Sequence, residues 1–186
     1  LRRAREAYAR GYKPILVAGY ADTAMRAFLR VIDAMPEARV ALVLGNGQAW
    51  LHRPDKHSRK ALKRTEWEAG RAQTRAARAS AWIVDAQRGT PLKAADALDA
   101  FAPRARFASN ILLEQLGGEI DVLVGSEAVS VGHNLQDSTC LVQLDLPWNP
   151  MVIEQRIGRI DRRGGGRVDP DRTHARKIVD VYYCWS

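Results

Sequence analysis

The sequence predicts an open, mostly parallel α/β sheet flanked by helices. Three observations carry this. Short apolar runs of strand type recur along the chain. Amphipathic helical stretches fall between several of them. Glycine or proline punctuates most junctions. The 186 residues are 46% hydrophobic and 27% charged. That composition excludes a disordered or collagen-like chain. The length suits a single domain, 1–186, able to bury about two-thirds of its unfolded surface. No run approaches 18 apolar residues, so a membrane-spanning helix is not expected.

The elements follow in order. Residues 1–10 read as a basic leader, either a short helix or a tail, and 14–18 (PILVA) as a buried strand. Asp22 or Thr23 can cap a helix over 24–35 that places Met25, Phe28, Leu29 and Ile32 on one face. Pro36 stops it, and 39–44 (RVALVL) gives a parallel strand, completing a βαβ unit. Residues 48–106 are harder to read. HRPDKHSRK looks like an exposed loop, 59–88 is helix-prone with Trp67 and Trp82 as packing anchors, and 92–101 reads as a short helix. This stretch is treated as a helical elaboration inserted between core segments 13–45 and 107–184. A helix over 109–116 is closed by Gly117-Gly118. Strands follow at 120–124 and 140–144, a short helix at 127–131, a helix at 150–162 and a last strand at 177–183. In such sheets ligands lie beyond the carboxyl ends of the strands. The segments 125–134 and 145–162 follow strand ends and are therefore the place for a site.

The charge is +8, and 23 of the 29 basic residues are Arg. Arg grips phosphate with a planar fork, so this balance fits a polyanion, nucleic acid above all. A solvated arginine-rich surface is the plain alternative. Cys140 and Cys184 each sit in an apolar run, which suits buried free thiols in a reducing, cytoplasmic setting. The histidines and cysteines show no paired ligand spacing, so no metal site is expected. The opening LRRAREAYARGYKP has no apolar signal core and no initiator Met, and is read as part of a longer protein.

The helix over 150–162 carries the most information. Asn149 can cap it and Pro150 suits its first position. At about 100° per residue, Ile153, Ile157 and Ile160 share one face and Gln155, Arg159 and Arg162 the opposite one. Two Arg forks one turn apart suit a polyphosphate whose charge grows during bond cleavage. Gly158 costs helix stability, roughly 1 kcal/mol relative to Ala, so it points to close approach of another backbone rather than to a plain solvated face. Trp148 reads as a packing residue in its turn.

The block EQRIGRIDRRG (154–164) resembles motif VI of superfamily 2 helicases in their Swi/Snf-like branch. VLVGSEAVSVGHNLQ (122–136) is similar to motif V, and LVQLDLPWNP (141–150) to the linking strand and turn of the same branch. ILVAGYADTA (15–24) resembles motif IV, and FAPRARFASN (101–110) a segment that precedes motif V in bacterial members. The resemblance covers most of the chain, weakly over 48–100. It implies the second RecA-like lobe of an ATP-dependent helicase or translocase. Under it, Arg159 and Arg162 reach the ATP γ-phosphate as catalytic arginines. Gln155 and Arg156 help organise the nucleotide and the lobe interface. Gly132 and Asn134 line the nucleotide cleft. Ser126 and Glu127 lie near nucleic-acid phosphates, with Tyr20 and Thr23 on the same track. Val131 and His133 depart from the family pattern.

No GxxxxGK[ST] and no acidic metal-binding motif are found, so ATP and magnesium are expected to be held mainly by an N-terminal RecA-like lobe of the same polypeptide. The partner implied is nucleic acid, duplex DNA first, and this lobe alone is expected to be inactive. Two other readings stand beside it: a catalytically degenerate nucleic-acid-binding or scaffolding module, and a stand-alone nucleotide-binding domain.

Overall fold

The computed structural model describes residues 1–45, 47–54, 89–130, 133–161 and 179–184. In chain order its elements are α1 (Arg2–Ala9), β1 (Pro14–Val17), α2 (Ala21–Ala34), β2 (Val40–Val43), β3 (Gln48–His52), β4 (Thr90–Lys93), α3 (Ala94–Phe101), α4 (Pro103–Arg106) and α5 (Asn110–Leu116). Then come β5 (Val122–Gly125), a 3-10 turn (Glu127–Ser130), β6 (Cys140–Gln143), α6 (Pro150–Ile160) and β7 (Asp180–Tyr183). The strands form one sheet in the order β4-β3-β2-β5-β1-β6-β7. Strands β2, β5, β1, β6 and β7 run parallel. The mostly parallel α/β architecture expected from the sequence is thus present. Strands β1 and β2 are parallel as expected, but β5 lies between them, paired with both.

The central strands are buried along their whole length, which is why they read as continuous apolar runs. Their side chains alternate between two cores. Ile15, Val17, Ala41, Leu123 and Leu141 face α3, α5 and α6 through Leu98, Phe101, Leu116 and Ile160. Leu16, Leu42, Val124 and Val142 face α1 and α2 through Ala4, Ala7, Phe28 and Val31. Register holds the layers: Ile15 sits opposite Leu123 on one side and Leu141 on the other.

The segment 48–106 departs from the helical reading at its borders. Residues 48–52 and 90–93 are strands, and they extend the sheet antiparallel from β2. Two physical reasons hid them. Strand β3 is only five residues long, with polar ends. Strand β4 (TPLK) contains a proline, which a sheet tolerates at an edge such as this one. The expected helix over 92–101 is α3, starting at Ala94. The helix-prone 59–88, with Trp67 and Trp82, lies outside the described residues.

Helix ends follow local chemistry. Ser109 Oγ accepts from Leu112 N at 3.2 Å to start α5. Gly117, at φ +77°, ends it, and the Gly118 N–H returns to Leu113 O at 2.7 Å. Helix α2 begins at Ala21 with no side-chain cap. Asp22 is therefore in the first turn, where its charge suits the helix dipole, rather than at the cap.

Candidate functional site at the strand ends

Three parallel strands end side by side, and the chain leaves each through a short segment: Gly19-Tyr20 after β1, Ser126-Glu127 after β5, and Asp145 to Asn149 after β6. Two of these exits are locked together. The Asp145 carboxylate accepts from Gly19 N at 2.5 Å. A Cβ on Gly19 would lie 3.2 Å from that carboxylate, so the position favours glycine. Gly125 has a similar role. A Cβ there would overlap the Val129 side chain, so glycine lets the 3-10 turn fold back over the strand end. Ser126 is buried, and its N–H donates to Val43 O at 3.1 Å.

Helix α6 rises from the third exit. Asn149 Oδ1 accepts from Met151 N at 3.0 Å and Pro150 occupies the first position, as the sequence predicts. The helix presents a buried side that includes Arg156 and Ile160, with Ile153 and Ile157 half-buried. Gln155 and Gly158 are exposed and Arg159 half-buried, so the polar face expected of Gln155 and Arg159 is open to solvent. Arg162 lies outside the described residues. A Cβ at Gly158 would meet no described atom within 4 Å.

The segment after the 3-10 turn returns to this helix. The Leu135 N–H donates to Arg159 O at 3.2 Å. Asn134 Nδ2 donates to Ala105 O at 3.3 Å, while its buried Oδ1 has no partner. His133 Nδ1 lies 3.5 Å from an Arg106 Nη1, and the Arg106 Nε donates to Asp99 Oδ1 at 2.5 Å. Burial lowers the His133 pKa, and Arg106 and Arg159 lower it further. His133 and Arg159 are thus electrostatic neighbours. Gly132 lies outside the described residues.

The expected site residues separate as follows. Ser126 and Glu127 stand at the end of β5, where the 3-10 turn packs on α6; Gln155 and Arg159 lie on α6 itself, with Arg159 O on Leu135 N, and Asn134 donates to Ala105 O. Arg156 points inward, at 2% exposure, onto Gln143. Tyr20 is 76% exposed at the start of α2, and Thr23 is half-buried one turn on. Trp148 was expected to pack, but it is fully exposed, at the end of the turn before α6. Cys184 is also exposed rather than buried, whereas Cys140 is fully buried and free. Sequence reasoning missed Asp145, Gln143 and Arg106. Asp145 was visible as an acid directly after a strand. Gln143 and Arg106 carried no signal.

A cavity of about 220 Å³ lies at the other end of the sheet, lined by Lys13, Arg104, Glu119, Asp137 and Thr139. These residues precede β1, α5, β5 and β6, and Asp137 stands two residues from Leu135, whose N–H donates to Arg159 O.

Strand-end turns leading into a helix that carries a half-buried Arg place this site on a mostly parallel α/β domain. Residues 107–164, which hold the β5 and β6 exits and α6, match the helicase conserved C-terminal domain. Over 50 residues the chain is 54% identical to YqhH of Bacillus subtilis, an uncharacterized ATP-dependent helicase, covering 27% of this chain and 9% of that one. It is 52% identical over 50 residues to the RNA polymerase-associated protein RapA of Vibrio parahaemolyticus, covering 27% of this chain and 5% of that one. RapA of Proteus mirabilis is 47% identical over 64 residues, 34% of this chain and 6% of the relative. The chain therefore spans 5–9% of the length of these relatives. Among solved structures, the C-terminal part of the Fun30 ATPase domain aligns with 98% of this chain and 38% of its own, at TM-score 0.48 and 11% identity. No described helix is long and apolar enough to cross a membrane.

Proposed function

We propose that this chain is the second motor lobe of an ATP-dependent nucleic-acid translocase, acting on duplex DNA and supplying arginines to a nucleotide held mainly by the other lobe. The carrying observation is α6. Its Arg159 accepts at its carbonyl from the Leu135 N–H and keeps a partly open side chain on the helix that rises from the end of β6.

The donor set fits a polyphosphate. Arg159 offers a fork of N–H donors and Gln155 an exposed amide, and an anion needs donors. Asn134 belongs to the nucleotide side in this reading, and Arg162 and Gly132, outside the described residues, are assigned there on the sequence resemblance alone. Magnesium and the phosphate cradle belong to the partner lobe. When bound there, the nucleotide supplies a phosphoanhydride whose cleavage develops charge. Arg159 then stabilises that charge as the two lobes close, because a fixed cation in a dry cleft needs no reorganisation. Ser126 and Glu127 sit one strand away and read the nucleic-acid side, with Tyr20 and Thr23 at the neighbouring exit. Exposed Trp148 adds an aromatic face to that side.

The test is ATP turnover by the intact parent protein without polymer and with duplex DNA, single-stranded DNA or RNA. Strong stimulation by duplex DNA is expected. Stimulation by RNA alone would replace the duplex assignment. No turnover under any condition would leave a binding or scaffolding lobe.

A further inference from the structure

Arg156 is the largest fully buried side chain among the described residues. Its Nη1 donates to Gln143 Oε1 at 2.5 Å. Its Nε has no partner, and neither has the amide nitrogen of Gln143. Among the described residues no carboxylate forms an ion pair with it. A buried guanidinium answered by one neutral amide is expensive to fold, and well-packed apolar residues often serve such positions as well or better. The position is therefore unexplained by packing alone.

Its surroundings give the explanation. Burial pulls the Arg156 pKa down, while the carboxylates of Asp145 and then Glu127 pull it back up. Asp145 holds Gly19 N, at the exit of β1. Glu127 opens the 3-10 turn, at the exit of β5, and that turn packs against α6. Gln143 is the last residue of β6. One buried charge thus stands among the ends of three neighbouring strands, on the helix that carries Arg159 three residues later.

We propose that Arg156 is a positioning residue: it ties α6 to the end of β6 through Gln143 and draws the Asp145 and Glu127 segments toward the helix, so that the rim presenting Arg159 moves as one body. The inference deepens the motor reading and rests on it for its catalytic meaning. Its structural content stands apart and is tested apart.

The experiment compares the intact parent protein with its Arg156→Met, Arg156→Lys and Gln143→Met variants. Hydrogen exchange is followed in peptides covering Gly19 and Leu135, whose amides are held by Asp145 and by Arg159 O. Arg156→Met is expected to speed both by about tenfold, because local opening sets the exchange rate. Arg156→Lys, which keeps the charge and loses the fork, falls between. ATP turnover is read in parallel. The expected outcome for Arg156→Met is a kcat about tenfold lower with KM within about twofold, the signature of a misplaced catalytic group. A raised KM with unchanged kcat would put Arg156 on the nucleotide and overturn the proposal. A lowered melting temperature with unchanged exchange at Gly19 and Leu135 would reduce it to a packing residue, also overturning it. If Arg156→Met fails to fold, Gln143→Met, which removes the amide and leaves the guanidinium in place, carries the same comparison. If the wild type turns over no ATP, the motor reading fails, and the exchange data still decide whether the rim is coupled.

Discussion

Gly158 and His133 bracket Arg159, and each makes a separable prediction. Gly158 is an exposed interior residue of α6 with room for a methyl group. Alanine there gains about 1 kcal/mol of helix propensity, so Gly158→Ala is expected to raise the melting temperature by about 2–4 °C. The same change is expected to lower ATP turnover in the intact protein, because the open face of α6 is where the partner lobe approaches in our reading. Unchanged turnover would mean that no backbone comes close. His133 predicts a pH dependence. Burial, then Arg106 and Arg159, hold its folded pKa below the ordinary histidine value of 6.5. The unfolded chain therefore binds more protons as pH falls through that value, and stability declines on the acid side. His133→Gln should flatten the fall of melting temperature just below pH 6.5. An equally steep fall in the variant would assign it to other groups.

At the scale of elements, α6 was legible because its signals are local. Asn149, Pro150 and the apolar spacing of Ile153, Ile157 and Ile160 each follow from short-range rules. Removal of the cap in Asn149→Ala is expected to cost about 1 kcal/mol, read as a melting temperature lower by about 2–4 °C. No change in melting temperature would show that the Asn149–Met151 bond contributes nothing. The central strands were legible for a related reason: burial on both faces leaves no polar positions, so the apolar run is unbroken. Strands β3 and β4 were not legible. Their pairing is antiparallel and spans residues 55–88, and their short, polar or proline-bearing sequences carry no period. The inward turn of Arg156 was hidden for another reason. Helical geometry placed it between the two faces, and only its contact with Gln143, 13 residues away, decides the side.

At the scale of the molecule, the sheet brings one end of three strands together and leaves the other end to the cavity lined by Lys13 and Glu119. Sequence order alone places motifs along a line, but the strand order β5-β1-β6 makes the exits of residues 19, 126 and 145 neighbours. That adjacency is what a nucleic-acid contact and a nucleotide contact need in order to be coupled. The motif spacing could show that the parts exist. It could not show that Asp145 bonds Gly19, or that Trp148 is bare.

In the proposed motor, α6 contributes charge to the transition state of ATP cleavage in the intact protein. This contribution is tested most directly by single-turnover hydrolysis with Arg159→Ala at saturating ATP, with ATP affinity measured on the same variant. The expected rate is about 100-fold lower or more, with ATP affinity within about threefold of wild type. An unchanged rate, or a loss explained wholly by weaker ATP binding, would contradict it.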